Sequence, residues 1–232
     1  MEPAKAKDAV RMMKGIPDGR GVRWPVRDDD MSIIGHMRGF DKFCLLDAKL
    51  IETMAEWHTA YRGFFLTQFV VTPENKRDWL KRSVLGNDLK MLFLMETPDG
   101  RVVGQDGFTI EEGGVFSLDG TMRWGRGAHP EFFRRDILER VAIGYYLLGS
   151  ERCVAEVFSD NSLAADNLLE LGFEIDDEIP LSVCCEGDVI KYFMQSDPLP
   201  VNSDKTLLCM SIAKDFFSTR YKKLIDNPCW DS

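Results

Sequence analysis

Residues Val154 to Phe173, V-A-E-V-F-S-D-N-S-L-A-A-D-N-L-L-E-L-G-F, leave few choices of fold. Val154, Glu156 and Phe158 alternate with Ala155, Val157 and Ser159. The run is mostly apolar and rich in β-formers, as a strand in a covered sheet would be. Asp160 and Asn161 supply a helix start, and Ala164, Leu168 and Leu171 share one helical face. Gly172 ends that helix, because glycine accepts the left-handed conformation a C-terminal stop usually needs. Phe173 then re-enters a core.

The flanking chain repeats this strand and helix alternation. Phe43–Ala48 reads as a short apolar strand, and Lys49–Tyr61 as a helix with Ile51, Met54, Ala55 and His58 at helical spacing. Thr72-Pro73-Glu74-Asn75 is a helix start, with a threonine cap and proline in the first turn, and that helix ends near Gly86. Lys90–Glu96 and Arg101–Ile110 form a hairpin about the turn Pro98-Asp99-Gly100. Val115–Trp124 is a fourth strand. His129-Pro130-Glu131 opens a helix to Leu148 that buries Phe133, Ile137, Val141, Tyr145 and Leu148. After the fifth strand and its helix come Ile179–Cys185 with Val189–Met194, then Leu207–Ile212 and a helix over Lys214–Leu224. Residues 1–40, polar and carrying Asp28-Asp29-Asp30, read as a partly irregular extension, residues 41–225 as the domain, and 226–232 as a tail.

The balance of 29 basic against 38 acidic residues gives a net charge of −9, which argues against a general nucleic-acid binder. It leaves room for an anionic ligand on a local basic patch. No apolar run approaches the roughly 20 residues of a membrane span, and no apolar segment follows Lys5, Lys7, Arg11 and Lys14 as a signal peptide would require. A cytoplasmic protein is therefore expected. The six scattered cysteines form no C-x-x-C pair and read as core thiols, and three histidines away from them leave no metal site.

The helix of the opening stretch resembles the N-x-x-A-x-x-x-Y-x-x-x-G-F pattern of the GCN5-related N-acetyltransferases. Asn161, Ala164, Gly172 and Phe173 match in type and spacing, and Leu168 stands at the tyrosine position. The resemblance implies an α/β fold with a mixed central sheet splayed between strands 4 and 5 and helices on both faces. It also implies acetyl-CoA or another acyl-CoA as cofactor and transfer to an amine without a covalent enzyme intermediate. Trp57, Phe65-Leu66-Thr67-Gln68-Phe69, Thr72 and Trp79-Leu80 look like the N-terminal half of acyltransferases acting on nucleotide-linked amino sugars. The implied partner is therefore a small-molecule acceptor of that kind, with no nucleic acid or membrane; the alternatives are the same fold acting on another small amine or amino acid, or a non-catalytic acyl-CoA-binding or interaction module.

Coenzyme A is expected in the turn after the fourth strand. There the family shows [QR]-x-x-G-x-[GA], and this chain has Met122-Arg123-Trp124-Gly125-Arg126-Gly127-Ala128. Backbone N–H groups at a helix N-terminus suit a pyrophosphate. Arg126, Arg134 and Arg135 either add charge for phosphates or form a solvated helix face. Asn161 is a helix cap, a contact for the pantetheine arm, or both. The oxyanion donor is expected among backbone N–H groups of Gly120 to Arg123. For the base Asp119 is favoured, with Asp106, Glu156, His58 and His129 as rivals. Trp57, His58, Arg62 and Asp106 are the candidate acceptor contacts, the aromatics being equally suited to a packed cluster. Trp124, beside the acyl slot, would limit acyl length. Cys153 starts a strand without a histidine nearby in sequence and is not expected to act as a nucleophile.

Overall fold

In the computed structural model, which describes residues 3–16, 19–124, 127–194 and 202–231, one sheet organises the chain. Its strands are β1 (Arg23–Arg27), β2 (Ile33–Gly39), β3 (Thr67–Gln68), β4 (Lys90–Glu96), β5 (Val102–Ile110), β6 (Val115–Arg123), β7 (Arg152–Phe158), β8 (Glu174–Glu186), β9 (Val189–Met194) and β10 (Asn202–Ile212). They lie in the order β1-β2-β4-β5-β6-β7-β10-β8-β9-β3. Every pairing is antiparallel except β6 with β7. The helices are α1 (Pro3–Met13), α2 (Ala48–Ala60), α3 (Pro73–Trp79), α4 (Phe132–Ala142), α5 (Ser162–Leu171), α6 (Lys214–Arg220) and α7 (Lys222–Ile225).

The sheet is covered on both faces, which is why β4 is a near-continuous apolar run. Met91, Phe93 and Met95 of β4 join a core with α1, α4, α5 and α6. Leu92 and Leu94, on the opposite face by strand alternation, join Ile51, Met54 and Trp57 of α2 and Leu80 just beyond α3. Local signals start the helices as expected. Asp47 caps α2 by accepting from the Leu50 amide at 2.9 Å, and Thr72 caps α3 through the Asn75 amide at 3.2 Å. Gly172 closes α5 with φ +95°, and Phe173 donates its amide to the Leu168 carbonyl at 3.0 Å.

Three expectations change. Phe43–Ala48 is not a strand: Cys44–Leu46 is a 3-10 turn. The Asp41 carboxylate accepts from the Phe43 and Cys44 amides at 2.9 and 3.0 Å, nucleating a turn that the apolar composition does not reveal. Residues 1–40 contain ordered elements where the composition suggested an irregular extension. Strand β2 pairs directly with β4, and β1 forms the sheet edge. Pro25 interrupts the strand pattern of β1, but an edge strand tolerates it. Gly35 breaks the pattern of β2, yet a side chain there would strike the Phe132 ring. The six cysteines form no disulfide, and Cys184 and Cys185 are exposed on β8 rather than buried.

Candidate active site

Between β6 and β7, the expected fourth and fifth strands, the sheet comes apart. Their parallel pairing runs from Val115 opposite Arg152 to Leu118 opposite Ala155 and stops there. Both strands continue, β6 to Arg123 and β7 to Phe158, so a wedge opens between them. Asp119 and Glu156 are the first residues past the last pair. On the other side of β6 the register with β5 slips by one residue between Gln105 and Gly107. The extra residue lies at Gly120, which takes φ +68°, a conformation suited to glycine. Such a bulge interrupts the ladder and re-aims the backbone. It falls in the segment where the oxyanion donor was expected.

The α2 and α3 side of the wedge carries two carboxylates, Asp119 and Glu156, with Lys90 and Lys76 beside Asp119. Asp119 is opposite Gly107, which is opposite Leu92, so Asp119 shares the α2 and α3 face. It forms an ion pair with Lys90 and accepts from the Thr109 hydroxyl at 3.3 Å. Across the wedge, Glu156 is opposite Cys209, itself opposite Asp177. The Glu156 side chain is exposed, yet partial desolvation, and then the negative charges of Glu111 and Asp119, hold its carboxyl above the usual range. Burial, followed by Glu156 and Asp177, raises the Cys209 thiol.

A roof crosses this face. The segment after α2 reaches over to the C-terminal half, where β3 pairs Thr67 with Lys191 and Gln68 with Ile190. The Tyr192 amide donates to the Leu66 carbonyl at 2.7 Å, and Leu66 packs on Phe158, Leu181 and Leu207.

The aromatic candidates form a packed group. Trp57 is only 1 % exposed and lies 6.1 Å from Trp124, while Tyr61 is edge-on to Trp124 at 6.4 Å. The Tyr61 hydroxyl donates to the Arg123 carbonyl at 2.7 Å, tying the end of α2 to the end of β6. Trp124 keeps 39 % of its surface exposed, so its open face is available to a ligand. His58 stacks on Phe65 at 4.4 Å. Burial, then the charge of Lys76, lowers its pKa to about 4, so it is neutral at physiological pH. Arg62 is exposed.

Asp106 differs most from expectation. Its cross-strand partner is Phe93, so it points to the α4 face, away from Asp119. It is fully buried, with the Arg140 guanidinium at 3.5 Å. On the cofactor side, Met122 is buried in the α2 core and offers only its backbone. The Arg123 guanidinium lies over the Phe133 ring at 4.9 Å. Arg134 is paired with Glu170 of α5 at 2.6 Å, and Arg135 is paired with Asp29. Gly127 takes φ +96° in the turn leading to α4, whereas Gly125 and Arg126 lie outside the described residues. The Asn161 side chain makes no cap hydrogen bond and is free to meet a ligand. Leu168 is a core residue, 6 % exposed.

Sequence reasoning missed three groups. Lys90 opens a strand that otherwise reads as apolar. Lys76 is 2 % exposed, and its Nζ has no hydrogen-bond partner among the described residues. Asp136 and Arg140 are an i,i+4 pair whose local pattern suits a solvent face, but on α4 it is turned to the sheet at 0 % exposure. Among the described residues no helix is long and apolar enough to cross a membrane, and no cluster of three ligating side chains is arranged for a metal.

No family model matches the sequence, and no curated protein matches it. Solved structures do. The spermidine N-acetyltransferase of Vibrio cholerae, solved with CoA and spermine, aligns with a TM-score of 0.55 at 11% identity, over 78% of this chain and 96% of that one. A GNAT-family acetyltransferase from Bacillus anthracis aligns with a TM-score of 0.59 at 11% identity, over 84% of this chain and 99% of that one. The likeness is one of fold: the chain has the splayed mixed sheet of the GCN5-related acetyltransferases, as expected.

Proposed function

We propose that the protein is an acyl-CoA-dependent N-acyltransferase acting on a small, positively charged amine. The observation that carries this reading is the wedge between β6 and β7, opening at Leu118 and Ala155 beside the bulge at Gly120. The wedge, the turn at Gly127 before α4, and the free Asn161 side chain fit a pantetheine arm with a pyrophosphate at the helix N-terminus. Met122, Arg123, Trp124 and Gly127 would hold it through the backbone and the Trp124 face, and Arg126 and Arg134 through charge. Bound there, an acyl-CoA supplies an activated acyl thioester.

The chain's own part is to bind, strip and orient the amine. Asp119 and Glu156, one on each lip of the wedge, attract an ammonium ion. Asp119 is the proposed proton acceptor, acting directly or through water. The raised Glu156 carboxyl brings a second proton-binding group closer to neutral pH. Backbone N–H groups of the Gly120 bulge are placed to meet negative charge that develops beside β6.

A nucleotide-linked amino sugar is the competing acceptor. Its phosphates would face Asp119 and Glu156, and Trp57 is too buried to stack on a base. Thiol release from acetyl-CoA, measured with diamines, polyamines, amino acids and amino-sugar nucleotides, tests the assignment. Turnover with cationic amines that falls in Asp119→Asn supports it. Turnover restricted to amino-sugar nucleotides replaces the acceptor. Binding of coenzyme A without turnover for any amine overturns the enzyme reading in favour of a binding module.

A further inference from the structure

One fully buried polar cluster among the described residues has no part in the chemistry above. Asp106, Asp136 and Arg140 are each 0 % exposed. Two carboxyls face the Arg140 guanidinium, and the charge of Arg123 acts on both from farther off. Burial holds the proton on Asp106 against the pull of Arg140, and the negative charge of Asp136 adds to the effect. Asp136 then serves as the counter-ion, accepting from Arg140 Nε at 3.1 Å and lying 3.0 Å from Nη2.

The rest of the guanidinium fork goes to the sheet. Nη1 donates to the Gly107 carbonyl at 2.8 Å, and Nη2 donates to the Thr121 hydroxyl at 3.4 Å. Gly107 is on β5 where the register slips, and Thr121 follows Gly120 in the bulge of β6. One planar group therefore grips both strands across the irregularity. Planarity matters, because five donors in a fixed fork specify geometry that a point charge does not. Stability alone gives no reason for the arrangement, since buried ion pairs are often matched or bettered by apolar residues of similar volume.

We propose that Arg140 is a positioning residue that sets the β6 bulge, and so the direction of its backbone N–H groups at the wedge. Its consequence for turnover rests on the acyltransferase reading; its consequence for the backbone does not. The test uses the full chain with Arg140→Lys, which keeps the charge and loses the fork, and Thr121→Val, which removes one contact at an exposed site without changing shape. Amide hydrogen exchange is read on peptides covering Gly120 to Arg123 and on peptides covering β4.

The expected result is exchange about tenfold faster at the bulge in both variants, with β4 unchanged. In the same variants kcat falls about tenfold while KM for acetyl-CoA stays within about twofold, since only transition-state contacts are disturbed. Should Arg140→Lys fail to fold, Thr121→Val carries the test alone. Unchanged exchange at the bulge in Thr121→Val overturns the proposal. So does acceleration spread evenly over the sheet with kcat per folded molecule unchanged, which is the mark of a stabilising role only. Local acceleration in a protein whose wild type releases no thiol with any amine keeps the positioning role and sinks the acyltransferase reading.

Discussion

Lys76 offers a quantitative test of how the acceptor side is built. Its ammonium is buried with no hydrogen bond among the described residues, and burial lowers its pKa from 10.5 to about 7 despite the attraction of Asp119. In the unfolded chain the lysine is fully protonated at neutral pH, so unfolding takes up protons between pH 7 and 10.5, and this group makes stability rise with pH over that window. At about 1.36 kcal/mol per pKa unit, the penalty is roughly 4 kcal/mol at pH 7 and roughly 2 kcal/mol at pH 9. The Trp79 ring, 4.7 Å from Nζ, offsets part of it. For a desolvated cation that offset reaches about 2 kcal/mol. Lys76→Met keeps the stem length and removes the charge, so it is expected to stabilise the protein at pH 7 by about 2–4 kcal/mol. At pH 9 the gain shrinks by about 2 kcal/mol. Urea denaturation of both proteins at pH 6.5, 8 and 9 measures this. A Met variant no more stable than wild type at pH 7, or an advantage that does not shrink with pH, refutes the reasoning.

Three further outcomes follow from particular contacts. Asp106 has its pKa raised well above the ordinary carboxylate value, chiefly by burial, so its contribution to stability falls as pH rises above the unfolded value of about 3.9. Asp106→Asn copies the protonated acid, and its urea midpoint relative to wild type should improve between pH 4.5 and pH 8; an unchanged difference would show that Asp106 is ionised in the fold. Gly172→Ala forces a side chain into φ +95° and against the Phe216 ring, and should lower Tm by roughly 5–15 °C; an unaltered melt would mean that the α5 stop is not fixed by this residue. His58, with its pKa near 4, should leave no limb in the kcat/KM profile between pH 5.5 and 8; a limb near 6.5 that disappears in His58→Gln contradicts its burial against Phe65.

Much of the fold was legible because it is written in local signals. Thr72-Pro73, Pro98-Asp99-Gly100 and Asn161…Gly172 each specify their turn or cap by short-range chemistry, and each appears where the spacing puts it. Strands β1 and β2 were not legible, because their irregular residues answer to distant neighbours. Gly35 is required by the Phe132 ring, and the Asp28-Asp29-Asp30 run is the turn between the strands, with the Asp28 side chain accepting from the Asp30 and Ser32 amides at 3.0 and 2.9 Å. The candidate residues were legible as strand positions but not by their partners. Asp119 does fall at the lip of the wedge. Asp106 was misjudged because a single strand gives alternation but not which face lies under α4. The i,i+4 pair Asp136 and Arg140 carries the same local pattern whether it faces water or a core, and only the sheet beneath decides.

The tyrosine that the family pattern places on α5 is Leu168 here, and its surroundings say what that exchange does. Leu168 is 6 % exposed and packs in the core with Ala165, Leu171 and Phe173, so the position serves to seat α5 on the sheet. No hydroxyl at that point can hand a proton to a leaving sulfur. A thiol with an ordinary pKa of about 8.5 is a tolerable leaving group near neutral pH without a dedicated acid. What the acyltransferase reading demands of this chain is therefore concentrated on the acceptor: drawing a cationic amine between Asp119 and Glu156, removing its proton, and presenting it to a bulge held from beneath by Arg140. On that account Leu168→Tyr should gain little rate and lose stability through overpacking of about 1–3 kcal/mol, whereas changes at Asp119 reach the chemistry directly.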